Sequence, residues 1–152
     1  MKTVVFASDY DAARSKMAAA FFNAFTKPSL ARAVSGGSRP QLWVAPEIVQ
    51  VMSEVGLDVS GRPQVLTADV LDGAALIVTF SDPGSWPTPA RVPLESWNVP
   101  DPRKLPIERL RETRDRLRER VWRLVAKQGW YKLQPARALD HRRERDRVLQ
   151  SQ

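Results

Sequence analysis

Val4-Val5-Phe6-Ala7-Ser8-Asp9-Tyr10-Asp11-Ala12-Ala13-Arg14-Ser15-Lys16-Met17-Ala18-Ala19-Ala20-Phe21-Phe22 decides the fold of this chain. The first four residues form an apolar run that reads as a buried strand, and Ser15 to Phe22 reads as a helix. Between them, Ser8 to Ser15 is a short loop feeding a helix N-terminus. Such a loop makes an anion cradle, because free backbone N–H groups and the positive end of the helix dipole converge on one point. Arg14 at the helix entrance adds a planar fork suited to a tetrahedral oxyanion. The expected anion-binding loop is therefore Ser8, Asp9, Tyr10, Asp11, Ala12, Ala13, Arg14 and Ser15.

Working outward, strands are expected at Val4–Ala7, Arg32–Val34, Leu76–Phe80 and Val92–Trp97. The order strand, loop, helix, strand, helix, short helix, strand, strand, helix implies parallel βαβ units with right-handed crossovers. The fold class is α/β, a four-stranded parallel sheet flanked by helices. Met17, Ala20, Phe21 and Ala24 recur at helical spacing and are expected in the core. From Pro106, the residues Ile107, Leu110, Leu117, Val121 and Leu124 keep one face apolar. That helix is expected to stop at Gln128-Gly129. Between the third and fourth strands, Pro83-Gly84-Ser85-Trp86-Pro87-Thr88-Pro89 reads as a rigid exposed loop, with Trp86 placed to pack on the body or cover the cradle.

The chain resembles the low-molecular-weight protein tyrosine phosphatase superfamily, and within it the thioredoxin-coupled arsenate reductases. The resemblance covers roughly residues 3–128 and rests on several segments in the right order. These are Arg14-Ser15-Lys16-Met17-Ala18, Ala33-Val34-Ser35-Gly36-Gly37, Pro46 through Ser60, Ala75 through Ser81, and Trp97-Asn98-Val99-Pro100-Asp101-Pro102. The last is similar to the loop that supplies the family's general acid, so the resemblance implies catalytic roles for Ser8, Arg14 and Asp101 if the chain is active. It departs from the family at the chemistry. Ser8 stands where the family has its nucleophilic Cys, and Asp11 where it usually has Asn. Ser81-Asp82-Pro83-Gly84-Ser85-Trp86 lacks the two resolving cysteines of an arsenate reductase.

A cradled thiol has its pKa lowered from about 8.5 to between about 3.5 and 7.5, whereas a Ser hydroxyl stays protonated and needs a base. Asp9 or Asp11 is a candidate for that base. Both carboxylates are also expected to oppose a bound phosphate, and Asp11 is placed to cap the helix and fill the anion site from within. Arg14 either grips an oxyanion or pairs with Asp9, Asp11 or Asp101. Asp101 is either the general acid or a structural loop carboxylate.

Composition narrows the choice. At 152 residues a single body with a sound core is expected. It is divided here into a phosphatase/arsenate-reductase-like domain over 1–129 and a basic extension over 130–152. The chain holds no Cys, which excludes disulfides, thiolate metal sites and thiol redox cycling. Its one His, His141, sits in a charged tail and makes no metal cluster alone. No cofactor or metal is expected. No apolar run is long enough to span a membrane and no signal segment is evident, so the expectation is a cytoplasmic protein without a membrane partner.

Residues 1–102 carry 8 Lys+Arg against 10 Asp+Glu, while 103–152 carry 16 against 7. The net charge of +7 is therefore concentrated in the last third. Such a region suits an acidic protein or nucleic acid as partner, or is a solvated helix laced with ion pairs.

Three functions follow. The leading one is an inactive relative of these phosphatases and arsenate reductases that binds an oxyanion (phosphate, sulfate, arsenate) or regulates a partner. The second is a phosphatase or arsenate-handling enzyme using Ser8 or an Asp. The third is a binder of acidic partners through 103–152. Asp11 and the missing resolving cysteines favour a natural relative over a laboratory Cys-to-Ser trap.

Overall fold

The structure is a computed structural model, and it describes residues 1–80 and 89–132. In chain order the elements are β1 (Lys2–Ala7), α1 (Arg14–Phe25), β2 (Ala31–Gly36), α2 (Pro46–Ser53), α3 (Ala68–Asp72), β3 (Leu76–Thr79), β4 (Leu94–Ser96) and α4 (Ile107–Gln128). The four strands form one sheet in the order β2-β1-β3-β4, and every neighbouring pair is parallel. All four expected strands are present, with the fourth shorter than its apolar pattern implied.

The alternation along β1 explains the layers. Val4 and Phe6 face the larger core, with Met17, Ala18, Phe21 and Phe22 of α1, Ile48, Val51 and Met52 of α2, and Leu117, Val121 and Val125 of α4. Val5 and Ala7 face the opposite layer, with Leu71, Ala74 and Ile77. A strand covered on both faces is uniformly apolar, as Val4 to Ala7 is. On α1 the buried apolar residues are Met17, Ala18, Ala19, Phe21 and Phe22; of the others expected in the core, Ala20 is half-buried and packs against it, and Ala24 is half-buried.

α4 ends as expected, with Gly129 in the left-handed conformation at φ 72°. Its apolar face is interrupted by Arg114, which is nevertheless buried. The Arg114 guanidinium donates to the Val51 carbonyl at 2.9 Å and to Glu54 at 2.7 Å, and Arg111 grips the same Glu54 carboxylate in a fork. Hydrogen bonding from Arg111, then from Arg114, holds the Glu54 pKa down to about 2. A depressed carboxyl stabilises the fold above its ordinary value, and that contribution is lost only as pH falls toward 2.

Trp130 to Lys132 pack on the body. Trp130 stacks edge-to-face on Phe22 at 6.0 Å, Lys27 N–H donates to the Trp130 carbonyl, and Lys132 N–H donates to Phe25. Tyr131 bridges to Thr26 in antiparallel fashion. A chain ending at Gly129 is therefore expected to melt roughly 5–10 °C below one ending at Lys132, equivalent to about 2–3 kcal/mol in a domain of this size. Thermal unfolding of the two truncations checks this. The proline loop with Trp86 up to Thr88, and Leu133 to Gln152 with His141, lie outside the described residues. Among the described residues no helix is long and apolar enough to cross a membrane, and no group of three or more His, Cys, Asp or Glu side chains is placed to hold a metal ion.

Candidate functional site

In an open parallel sheet, ligands sit beyond the carboxyl ends of the strands where the strand order switches direction. Here the chain leaves β1 for β2 on one side and returns to β3 on the other. The loop leaving β1 is Ser8 to Ala13, and it borders a small pocket lined by Ser8, Asp9, Tyr10, Ala12, Ala13, Arg14, Asp101 and Arg103. At about 10 Å³ this space holds about one water molecule. The expected loop, Arg14 and Asp101 are thus brought together, although Asp11 and Ser15 do not line the pocket.

The end of β2 shapes the loop. Ser8 N–H donates to the Gly36 carbonyl, while Arg39 N–H and Gln41 N–H take the carbonyls of Asp9 and Tyr10 at 2.8 and 2.9 Å. Because a trans peptide sets C=O and the next N–H in opposite directions, the N–H groups of Tyr10 and Asp11 turn away from those partners. Gly37 lies directly under the loop, where a Cβ would come within 2.5 Å of the Asp9 carbonyl and 2.6 Å of the Ser8 carbonyl. Asp11 takes a left-handed φ of 46°, a conformation that Asp tolerates better than most residues.

That turn corrects the expected role of Asp11. The first turn of α1 has Ala13 at its N-cap with no side-chain cap, so Asp11 does not fill the anion site. Its fully buried carboxylate instead accepts from Ser15 Oγ at 2.8 Å and from Gln64 N–H at 2.9 Å, with Lys16 Nζ at 3.9 Å. Burial pushes its pKa up, against the Gln64 N–H, the hydroxyls of Ser35 and Ser15, and Lys16. Ser15 Oγ also lies 2.6 Å from Ser8 Oγ. With Ser15 Oγ donating to Asp11 Oδ1, its one proton is used, so in the Ser8–Ser15 contact Ser8 is the donor.

Arg14 makes none of the direct ion pairs expected of it. One of its terminal nitrogens donates to the carbonyls of Phe80 at 3.0 Å and Val99 at 2.7 Å, fixing the guanidinium between the ends of β3 and the loop after β4. Burial lowers its pKa, and the charges of Asp101 and Asp9 act against that.

Asp101 belongs to Arg103. The Arg103 fork meets both carboxylate oxygens at 2.6–3.1 Å, and its backbone N–H donates at 3.0 Å. Burial raises the Asp101 pKa, but hydrogen bonds and charge from Arg103, with the charge of Arg14, bring it below the ordinary value. The same guanidinium lies 4.3 Å over the Tyr10 ring, which Arg39 approaches at 5.3 Å. Arg103 therefore lines the pocket between Asp101 and Tyr10. Sequence reading missed this residue; its spacing two positions after Asp101 in an Asp-Pro-Arg turn was the available signal.

No family model matches the chain. It is 32% identical over 89 residues, 58% of its length, to a putative arsenate reductase of Halobacterium salinarum, and the match spans 63% of that relative. It is 28% identical over 137 residues to a glutaredoxin arsenate reductase of Synechocystis, covering 84% of this chain and 98% of that one. Among solved structures, the arsenate reductase of Archaeoglobus fulgidus superposes with a TM-score of 0.70 at 29% identity, over 81% of this chain and 98% of the other. The low-molecular-weight protein tyrosine phosphatase of T. tengcongensis gives 0.73 at 25% identity, over 84% and 99%. An arsenate reductase in the phosphate binding state gives 0.68 at 27% identity, over 84% and 98%. The structural neighbours of this chain are thus arsenate reductases and low-molecular-weight tyrosine phosphatases, and the four-stranded parallel α/β fold is common to them.

Proposed function

We propose that this protein is an oxyanion-binding relative of the arsenate reductases and low-molecular-weight phosphatases that does not turn its ligand over, and that it works by binding or regulation. The observation that carries this reading is the Arg103 fork on Asp101. A general acid must present a protonated oxygen to its leaving group. Here both Asp101 oxygens accept from the Arg103 guanidinium, which favours the ionised carboxyl. Ser8 removes the second catalytic part, because an oxygen nucleophile lacks the low pKa of a cradled thiolate. With no Cys in the chain, arsenate cannot receive electrons from a thiol of this protein.

The anion-binding parts remain: the N-terminus of α1, the Ser8–Ala13 backbone and Arg14. The neighbour in a phosphate binding state supports phosphate, arsenate or sulfate as the ligand class. Because the pocket is narrow and Asp9 and Asp101 border it, the expected affinity is weak.

Phosphate or arsenate at tens of millimolar is expected to raise the melting temperature, and Arg14→Ala is expected to abolish that shift. Hydrolysis of an aryl phosphate and reduction of arsenate by thioredoxin or glutathione are expected to stay at blank level. Sustained turnover in either assay, or a melting temperature indifferent to all three anions, would overturn the reading.

A further inference from the structure

α4 carries more charge than its packing uses. Arg111 and Arg114 are committed to Glu54, and Arg114 also meets Asp115. The other cations of the helix are exposed: Arg109, Arg116, Arg118, Arg120, Arg123 and Lys127. At about 3.6 residues per turn, all of these but Arg118 fall within one strip about 60° wide and about 27 Å long. Glu108, Glu112, Asp115 and Glu119 form a second strip, its centre about 80° round the helix from the first. A helix whose charges serve only solvation interleaves the two signs and ties them at i,i+4 spacing. Here the signs are sorted into separate rows, and among the described residues Arg123 with Glu119 is the one ion pair between them. Arg120 lies over the Trp97 ring at 4.7 Å, which seats the middle of the basic row beside the segment after β4. None of the row lines the pocket, so it is a separate surface.

We propose that the row Arg109, Arg116, Arg120, Arg123 and Lys127 binds single-stranded nucleic acid through its phosphates. The shape of the row is the first reason. It is linear and nearly as long as the helix that carries it, so it matches a line of anions rather than one compact ion. Its chemistry is the second. All but Lys127 are arginines, whose planar fork pairs with two phosphate oxygens at once.

The third reason is that the row is one-sided. A duplex groove closing on α4 would bring its second phosphate strand against Glu112, Asp115 and Glu119. A single strand lies along the cations and leaves those carboxylates to water. The Trp97 ring under Arg120 donates its N–H to Glu95 at 3.0 Å, and that carboxylate is one contact removed from the row. The net charge of +7 on the chain adds a long-range attraction for any polyanion, which the row then orients.

The experiment titrates fluorescein-labelled oligo-dT with the full chain at several salt concentrations and follows anisotropy. With about four phosphates neutralised, log affinity is expected to fall against log salt with a slope of about −3. Arg116→Gln and Lys127→Gln are each expected to flatten that slope by about 0.7, and to weaken binding about fivefold to tenfold at about 50 mM salt. Arg118→Gln removes the same charge about 180° round the helix from Arg109 and is expected to leave slope and affinity nearly unchanged. Equal losses in all three variants would make the attraction one of net charge and overturn the assignment. No loss in Arg116→Gln and Lys127→Gln would place the binding elsewhere in the chain and overturn it too. So would tighter binding of oligo-dT annealed to oligo-dA, equal binding of poly-glutamate at the same salt, or no binding of oligo-dT at all. Phosphate-dependent melting is expected to be unchanged in the three variants, so the pocket and the row stand or fail separately.

Discussion

Replacing Phe6 by alanine is expected to lower the melting temperature by roughly 10 °C or more, the largest stability effect of any single substitution considered for this protein. Phe6 is fully buried at the centre of the sheet, two residues before Ser8. Its ring meets Phe22 at 5.9 Å and Trp97 at 5.8 Å edge-to-face, and lies near-parallel to Phe80 at 6.4 Å. Those partners come from α1, from the segment after β4 and from the end of β3, the same three places that border or support the pocket. Truncation leaves a cavity bounded by rigid rings that collapse poorly, so a cost of about 3–5 kcal/mol is expected. At about 2–4 °C per kcal/mol for a chain of this length, the shift follows. Thermal or denaturant unfolding checks it, and a change under about 1 kcal/mol would mean that these rings repack freely.

The second large effect is expected at Gly37, and on function more than on stability. Alanine there puts a methyl group 2.5 Å from the Asp9 carbonyl and 2.6 Å from the Ser8 carbonyl, both backbone atoms that cannot rotate aside. Gly37 is itself pinned, donating from its N–H to Gln64 and accepting from Leu66 N–H. The cradle loop must give way, at about 1–3 kcal/mol of overpacking. Anion affinity is expected to fall about tenfold or more, since each 1.4 kcal/mol of lost complementarity is a factor of ten. Gly61→Ala is the control, because a methyl group there meets only the end of Lys16 at 3.7 Å. Phosphate-dependent melting that is retained in Gly37→Ala would show that the loop does not form the anion site.

The elements of this fold are legible because each is encoded over a few residues. Val4 to Ala7 is apolar at every position, as a strand covered on both faces requires, and Pro106 with Gly129 brackets α4 through backbone chemistry alone. Ser8 and Arg14 were legible from the strand, loop and helix N-terminus, whereas Asp101 was placed beside them only by the resemblance of Trp97 to Pro102 to a family loop; the three line one pocket. What local pattern cannot carry is the direction of a side chain whose partners are distant in sequence. Arg114 breaks the apolar stripe of α4 and is buried nonetheless, because the Val51 carbonyl and Glu54 from α2 await it.

The same reason governs the site. From its position alone Asp11 belongs beside the anion, yet its left-handed backbone and the Gln64 N–H, 53 residues away, turn the carboxylate inward to Ser15. The sequence alone determined that no thiol chemistry is possible and that a loop with one arginine faces a helix N-terminus. Only the tertiary structure decided where the charges of that loop are spent: Arg14 on the carbonyls of Phe80 and Val99, Asp101 on Arg103, and Asp11 on a buried pair of hydroxyls. The partners of Arg14 and Asp11 satisfy polar groups that burial would otherwise leave without one, whereas the Asp101–Arg103 pair stays exposed; burial is a property of the packed chain rather than of any segment of it.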